Sequence, residues 1–185
     1  MPTERSRLTK ITTRAGDKGK TKLATGRTVS KASQVVRTMG SVDELNSHIG
    51  VLLASLETSS DQQDNIRNIQ QSLFDMGAVF AMEGQFDAPD PAALESATTS
   101  LNESLPPLTE FVLPRGGQAA SLAHVCRAVC RRAESEVWRL LEDSESEPTS
   151  YADAARYLNR LSDYFFVLAR TLTATTEEQW HGPDG

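Results

Sequence analysis

Four long runs of apolar residues at helical spacing constrain the fold of this chain more than any other feature. The runs begin near Ser41, Ser60, Leu122 and Tyr151, and in each the apolar side chains recur every three to four residues. This spacing places them on one face of an α-helix, so each run predicts an amphipathic helix that buries that face against another. The pattern therefore predicts an all-α fold.

Capping residues indicate where the helices begin and end. Ser41 and Glu44 have the spacing of a capping box, which predicts that the first helix starts at Ser41. Asp90 as cap and Pro91 as the first helical residue predict an additional, shorter helix, which Pro106 and the proline after it would end.

The expected architecture is a five-helix up-and-down bundle with an irregular N-terminal segment. At 185 residues the chain fits a single domain, residues 1–185. We divide it into an N-terminal arm (1–37), a helical bundle (38–175) and a flexible tail (176–185). The glycine, threonine and lysine content of the arm predicts loop with a short strand or two.

Charge is divided unevenly between the arm and the rest of the chain. Residues 1–37 hold ten lysines and arginines against two acidic residues, a net charge of +8, whereas residues 38–185 carry −14. A basic arm favours an anionic ligand, but this arm has no aromatic side chain to stack on a base, and the acidic remainder would repel a polyanion. We therefore expect a small phosphate compound as ligand and no nucleic-acid partner.

The chain shows no sign of membrane insertion or of an oxidising compartment. No stretch approaches the roughly 18 uncharged apolar residues of a membrane helix, and the start MPTERSR lacks the apolar stretch of a signal peptide. Cys126 and Cys130 lie four apart in a helical pattern, which predicts reduced core thiols, and no histidine has zinc-ligand spacing to them. We expect a cytoplasmic protein without a membrane partner.

The segment 12–22, TTRAGDKGKTK, has the composition of a phosphate-binding loop. Gly16 and Gly19 flank Asp17 and Lys18, and glycine lets backbone N–H groups approach anion oxygens. The neighbouring cations would neutralise the phosphates. The segment matches neither a Walker A loop nor a dinucleotide fingerprint, so taken alone it leaves open the alternative of a solvated basic arm.

The fourth predicted helix carries a polar stripe beside its apolar face. At about 100° per residue, one arc holds His124, Arg127, Arg131, Glu134 and Trp138. Asn159 on the fifth helix and Asp43 on the first also border apolar stripes. From the pattern alone, surface ion pairs and a functional site explain Arg127 and Arg131 equally well.

Five separated motifs occur in the order and at the separations of one known family. They are TTRAGDKGKTKLATGRTVSK, GSVDELNSHIG, FVLPRGG, RAVCRRAE and RYLNRLSDYFFVLAR, within residues 10–172. On these motifs the chain resembles the PduO-type ATP:corrinoid adenosyltransferases, and five motifs in register are more specific than any single loop.

The resemblance implies a five-helix bundle assembled as a homotrimer, with active sites between neighbouring subunits. It implies an enzyme that transfers the 5′-deoxyadenosyl group of ATP to the cobalt of cob(I)alamin, giving adenosylcobalamin and triphosphate. Mg²⁺ is the implied cofactor. A reductase and an adenosylcobalamin-dependent enzyme are the implied protein partners.

The resemblance also assigns roles to residues by their positions in the motifs. The implied ATP-binding residues are Thr13, Arg14, Gly16, Asp17, Gly19, Lys31, Arg131, Glu134 and Asn159. Glu134 is also the implied magnesium ligand. Asp43 and Arg127 would form an ion pair that positions the corrinoid, and Phe111 would press on the lower face of the corrin ring and displace its axial base.

Three residues depart from the pattern of that family. Ala15 replaces a threonine near the phosphates, and Lys22 replaces a glycine and would add a cation there. Arg115 replaces the first glycine of a Pro-Gly-Gly turn and would either contact the corrinoid or restrict its seat. Ala15 and Arg115 keep an alternative open, a non-catalytic helical bundle that holds or delivers cobalamin or nucleotide.

Overall fold

The computed structural model describes residues 12, 14–56, 61–145, 148–173 and 177–182. In these ranges the chain forms five α-helices and one two-stranded sheet. The elements are β1 (Lys20–Lys22), β2 (Thr28–Ser30), α1 (Gln34–Ala54), α2 (Asp61–Ala81), α3 (Ala92–Asn102), α4 (Gln118–Glu142) and α5 (Thr149–Thr171). None of these helices has both the length and the apolar character that crossing a membrane requires.

The four long helices pack in a closed ring. α1 contacts α2 and α4, α5 contacts α4 and α2, and the short α3 lies against α5. Their apolar faces meet inside the ring, where the largest fully buried side chains are Phe80, Tyr164, Phe165, Leu45, Ile49, Leu52, Ile66, Leu73, Met76, Leu158, Leu161 and Leu168. The predicted five-helix bundle is confirmed, and the α1/α2 and α4/α5 grooves lie on opposite sides of it.

The predicted start of the first helix is wrong. α1 begins at Gln34, so Ser41 lies inside it and the division between arm and bundle at residue 37 cuts through it. Val35 is buried in the core, and the Thr38 hydroxyl donates to the carbonyl of Glu136 on α4 at 2.9 Å. Packing against α4 therefore extends the helix beyond the point where the capping-box spacing predicted its start.

The other helix ends agree better with the capping signals. α2 begins at Asp61, one residue after the predicted Ser60. A carboxylate oxygen of Asp90 accepts a hydrogen bond from the N–H of Ala92 at 2.9 Å, which satisfies one of the free N–H groups at the start of α3. α3 ends at Asn102, a turn before the prolines that were expected to stop it.

The arm folds back onto the bundle as a short hairpin. β1 and β2 are antiparallel, with Thr21 opposite Val29. Leu23 and Val29 are buried with the core, and the N–H of Ala24 donates to the carbonyl of Ala81 at the end of α2 at 3.0 Å. The hairpin is thereby fixed at one corner of the helical ring.

Residues 177–182, which follow α5, are not a free tail. Residues 176–185 were expected to be flexible, yet Gln179 forms an antiparallel β-bridge with Val112, in the connection between α3 and α4. This pairing brings the segment after α5 beside Phe111.

Candidate functional site

A cleft lined by lysines opens beside the hairpin. Its volume is about 420 Å³, and its lining consists of Ala15, Gly16, Lys20, Thr21, Lys22, Thr28 and Lys31. That volume falls in the range of small-ligand pockets. Three lysines and two threonine hydroxyls give the cleft the chemistry of a polyphosphate site. Lys22, one of the departures from the family pattern, belongs to this lining.

Gly16 allows Lys31 to cross the loop that forms one wall of the cleft. A Cβ at position 16 would lie 2.7 Å from Nζ and 2.9 Å from Cε of Lys31. The backbone N–H of Lys31 also donates to the carbonyl of Gly19 at 2.9 Å. The structure therefore brings together three of the residues that the sequence singled out, namely Gly16, Gly19 and Lys31.

The remaining arm residues of the predicted ATP site are solvent-accessible or undescribed. Arg14 and Asp17 are exposed, and the N–H of Asp17 donates to the carbonyl of Arg14 at 3.4 Å. Arg14 adopts a positive φ of 59°, a conformation uncommon outside glycine. Thr13 lies outside the described residues.

An acidic residue that the sequence analysis missed anchors the arm. Glu83, just after α2, accepts a hydrogen bond from the Thr25 hydroxyl at 2.6 Å and pairs with Arg27 at 2.5 Å. The Thr25 hydrogen bond is the largest cause that lowers the pKa of Glu83 below its ordinary value. No local pattern connects Glu83 with the hairpin, since the partners are far apart in sequence and meet only through the fold.

Glu134 and Asn159 meet across the groove between α4 and α5. The Asn159 side-chain amide donates to a carboxylate oxygen of Glu134 at 3.3 Å, and Arg160 donates to the other end of the same amide. Glu134 and Asn159 are both half-buried. The predicted pair is thus assembled within one chain, with the second carboxylate oxygen of Glu134 available for another interaction.

Arg127 is a half-buried cation that lacks an acidic partner among the described residues. Its Nε atom is buried without a hydrogen-bond partner there. Burial lowers the pKa of its guanidinium, and the positive charge of nearby Arg131 lowers it further. The other two arginines of α4 form surface pairs, Arg132 with Glu44 and Arg139 with Glu136. Arg127 and Arg131 therefore remain as the cations that would gain from an anion.

Asp43 lies on the opposite side of the bundle from Arg127. It lines an apolar groove of about 310 Å³ between α1 and α2, where the neighbouring Phe74 is 68% exposed. Arg127 and Glu134 lie on the flank of α4 that borders α5. The described part of one chain therefore does not bring Asp43 and Arg127 together, and the ion pair implied by the resemblance is not formed within it.

Phe111 projects into solvent from the connection between α3 and α4. Its side chain is 76% exposed and, with Leu108, Glu110 and Phe166, lines an open apolar pocket of about 360 Å³. Trp180 makes an edge contact with the ring, with centroids 6.3 Å apart. This surface suits a flat apolar ligand.

Arg115 does not point to the pocket beside Phe111. It pairs with Glu178 at 2.5 Å, with both side chains largely exposed. Its neighbour Gly116 packs closely on Thr173, just after α5, since a Cβ there would lie 2.6 Å from Oγ1 of Thr173. Arg115 therefore binds the segment after α5. The sequence had suggested only contact with the corrinoid or restriction of its seat.

The two thiols and the histidine of α4 are buried in the bundle. Cys126 and Cys130 are free and buried, as predicted, and burial raises the pKa of Cys126 to about 12. His124 is buried too, and burial together with the charge of Arg127 lowers its pKa against the opposing effect of Glu177. Neither thiol is a nucleophile near neutral pH.

Comparison with known proteins places the chain in one family. The sequence pattern of the cobalamin adenosyltransferases matches residues 11–172. The chain belongs to this family. The resemblance drawn from the five motifs is thereby confirmed.

Individual relatives are similar over most of the chain. Over 169 residues, covering 90% of each protein, the chain is 45% identical to the Cobalamin adenosyltransferase of Cupriavidus metallidurans. It is 39% identical over 176 residues to the Corrinoid adenosyltransferase MMAB of Homo sapiens, covering 89% of this chain and 69% of that protein. The family likeness therefore extends from the arm to α5.

Solved structures of the family have the same fold. A phenylalanine-to-alanine variant of the PduO-type ATP:corrinoid adenosyltransferase from Lactobacillus reuteri, complexed with cobalamin and ATP, aligns with a TM-score of 0.85 at 30% identity, covering 94% of this chain and 100% of that chain. An arginine-to-lysine variant complexed with ATP aligns with a TM-score of 0.82 at 32% identity, covering 92% of this chain and 100% of that chain.

Proposed function

We propose that this protein is a corrinoid adenosyltransferase that moves the 5′-deoxyadenosyl group of ATP to the cobalt of cob(I)alamin, with adenosylcobalamin and triphosphate as products. The observation that supports this most is the cleft beside the hairpin, which gathers Lys20, Lys22 and Lys31 in a pocket of about 420 Å³. The relatives in the family are named as corrinoid adenosyltransferases.

The reaction needs charge stabilisation rather than proton transfer. The electron pair of Co(I) forms a bond to C5′ of ATP while the bond from C5′ to the phosphate oxygen breaks, and that oxygen keeps the electron pair and leaves as triphosphate. Lys20, Lys22 and Lys31 stabilise the negative charge that develops on the leaving group. The arm and bundle hold the two substrates in line and exclude water, which supplies the rest of the acceleration.

The residues at the α4/α5 groove fit a magnesium ion bound together with a polyphosphate. No group of three or more histidine, cysteine or acidic side chains suited to a metal occurs among the described residues, so a protein-only metal cage is not available there. Mg²⁺ commonly binds through one or two carboxylates plus substrate phosphates. Glu134 would supply that carboxylate, oriented by Asn159, and the ion would add positive charge beside the phosphates.

We further propose that the complete site forms between neighbouring subunits of a homotrimer. Asp43 and the arm lie towards α1 and α2, whereas Arg127, Arg131 and Glu134 lie on the α4/α5 side, so the residues proposed for each substrate are divided between two sides of one chain. A second copy would bring Asp43 to the unpaired Arg127 and cover Phe74. Light scattering at micromolar concentration that gives a monomer would contradict this assembly.

Phe111 is proposed to act on the corrinoid. Its exposed ring would press on the lower face of the corrin and displace the axial base, which makes the cobalt easier to reduce to Co(I). A reductase that supplies the electron and an enzyme that uses adenosylcobalamin are the partner classes that this chemistry requires.

The direct test is an anaerobic assay of the purified protein with MgATP and chemically reduced cobalamin. We expect adenosylcobalamin, read from its absorbance, and triphosphate in equal amounts. Tight binding of both ligands without product would instead support a non-catalytic holder of cobalamin. In that case Ala15→Thr and Arg115→Gly would be tested for restoring turnover.

A further inference from the structure

The connection that carries Phe111 takes its position from the residues that follow α5. The N–H of Leu113 donates to the carbonyl of Glu178, and the N–H of Trp180 donates to the carbonyl of Phe111, both at 2.8 Å. We call residues 177–180 the strap. These hydrogen bonds lie on either side of Val112, and one of them is accepted by the carbonyl of Phe111 itself. The strap therefore determines where the backbone lies at Phe111 and just after it.

One buried guanidinium holds the strap. The side chain of Arg170, on the last turn of α5, is 4% exposed, and it pairs with the Glu177 carboxylate through two hydrogen bonds of 2.7 and 3.1 Å. The same Arg170 donates to the carbonyl of Pro106 at 2.8 Å. Arg170 therefore joins α5, the strap and the beginning of the connection that carries Phe111.

This pair is a stronger anchor than the other ionic contact of the strap. Two parallel hydrogen bonds from a guanidinium to a carboxylate fix the angle between the groups as well as their distance. Departure of the strap would leave the buried charge of Arg170 without its counter-ion, which is costly. The pair of Arg115 with Glu178 has 62% and 48% exposed side chains and contributes little in comparison.

The orientation of Phe111 depends on this anchor because the core does not hold its ring. The ring is 76% exposed, and the one aromatic ring that it contacts edge-on among the described residues is that of Trp180, itself part of the strap. A shift of the strap would therefore move both the backbone and the ring contact of Phe111.

We propose that Arg170 and Glu177 are positioning residues for the corrinoid: their buried ion pair fastens the strap, and the strap aims Phe111 at the corrin ring. This inference rests on the proposed function of Phe111 in displacing the axial base. A corrinoid that lacks that base should therefore depend much less on the pair than cobalamin does.

The test compares Glu177→Gln with Asp153→Asn, a matched carboxylate-to-amide change on α5 in an exposed pair with Arg156. Hydrogen exchange of the amides of Leu113 and Trp180 is measured in the full chain. The kcat and KM are measured for MgATP, cob(II)alamin and cob(II)inamide, which has no lower base, with the corrinoid reduced during the assay, because the base has already left the cobalt in the Co(I) state. For Glu177→Gln we expect exchange at least about tenfold faster. The kcat with cobalamin should fall about ten- to hundredfold, with a smaller loss for cobinamide and an unchanged KM for ATP.

Three results would overturn the proposal. If the amides of Leu113 and Trp180 exchange at the same rate in Glu177→Gln as in Asp153→Asn, the pair does not hold the strap. Equal losses with both corrinoids, or a raised KM for ATP, would show that it does not act through Phe111. If Glu177→Gln does not fold, Arg170→Lys takes its place, because lysine keeps the positive charge but cannot form the two parallel hydrogen bonds to the carboxylate, and the same expectations apply.

The failure of the proposed function would look different. A wild-type protein that forms no adenosylcobalamin contradicts the proposed function. The exchange rates of Leu113 and Trp180 would still decide whether Arg170 and Glu177 hold the strap.

Discussion

Arg27 and Glu83 form an ion pair of 2.5 Å that joins the hairpin of the arm to the end of α2. The Thr25 hydroxyl donates to the other carboxylate oxygen at 2.6 Å. The hairpin that carries Lys20, Lys22 and Lys31 is therefore held against the bundle within a single chain. Because this contact already fixes the hairpin, it lowers the conformational entropy that the arm loses when a nucleotide binds.

Loss of the Glu83 charge should weaken ATP binding. In Glu83→Gln the pair with Arg27 is lost, and we expect KM for MgATP to rise about two- to fivefold, because partly exposed ion pairs contribute about 0.2–1 kcal/mol. The KM for cobalamin should stay unchanged. Asp64→Asn is the matched control, since Asp64, on α2, pairs with Arg67 in solvent. Equal effects of the two substitutions would show that the anchor has no special role.

A methyl group at Gly16 should displace Lys31 from the cleft. The added Cβ would lie 2.7 Å from Nζ, and a lysine end can move away at little cost to stability. We therefore expect Gly16→Ala to raise KM for ATP several-fold while the melting temperature stays nearly constant. Gly40→Ala meets no atom within 4 Å and serves as the control. A large fall in melting temperature instead would assign Gly16 to folding rather than binding.

Arg127 and Asn159 should affect different substrates. We expect Arg127→Ala to lower the turnover of corrinoid with little change in ATP affinity, because the cation is proposed to pair with Asp43 of a neighbouring subunit. Asn159→Ala should weaken ATP binding, because it removes the amide that orients Glu134. Isothermal titration with MgATP and steady-state kinetics with cobalamin separate the two effects. The reverse order would contradict this allocation.

Removal of the Phe111 ring should slow the reaction without loosening the fold. The side chain is 76% exposed, so Phe111→Ala should barely change the melting temperature or the affinity for ATP. With base-on cobalamin we expect kcat to fall at least about tenfold. Phe86→Ala, which removes another exposed ring, is the control. Comparable rates for Phe111→Ala and the wild type would exclude a direct role for the ring.

Tyr164 should make the fold sensitive to alkali. Burial raises its pKa to about 12, so the folded state holds the phenol proton more tightly than the unfolded state. Its contribution to stability is complete below about pH 10 and is lost as pH rises towards 12. The free energy of unfolding of Tyr164→Phe, relative to that of the wild type, should therefore rise by up to about 1.4 kcal/mol per pH unit between pH 10 and pH 12.

A matched tyrosine provides the control for this measurement. The hydroxyl of Tyr164 has no hydrogen-bond partner among the described residues, so Tyr164→Phe should cost little stability at neutral pH. Tyr157 bonds to Ser72, and Tyr157→Phe should lose about 1 kcal/mol there. Urea unfolding at pH 7 and pH 11 gives both values. A Tyr164→Phe variant with the same pH dependence as the wild type would refute the assignment.

Local patterns were sufficient for most of the secondary structure. The period of the apolar residues located α2, α4 and α5 because burial of one helix face is decided by spacing along the chain. The start of α1 could not be obtained in this way. Thr38 and Gln34 are held by Glu136, a partner on another helix, and such a contact leaves no local trace.

The residues of the candidate site also fall into those that local sequence patterns predicted and those that only the fold revealed. Glycines and lysines of the arm, and the stripe with Arg127 and Glu134, were visible in the sequence because each lies within one loop or on one helix. The anchors Glu83 and Glu177 were not, since each binds a partner brought near only by the fold.

The sequence by itself determined the five helices, the basic arm, the family and the residue types available to phosphate and corrinoid, because these follow from spacing and composition. Only the tertiary structure decided that Asp43 and Arg127 lie on opposite sides of one chain and that Phe111 is held by the residues after α5. The physical reason is that charge pairs and buried polar contacts depend on distances of a few ångströms, and packing sets those distances between segments far apart in sequence.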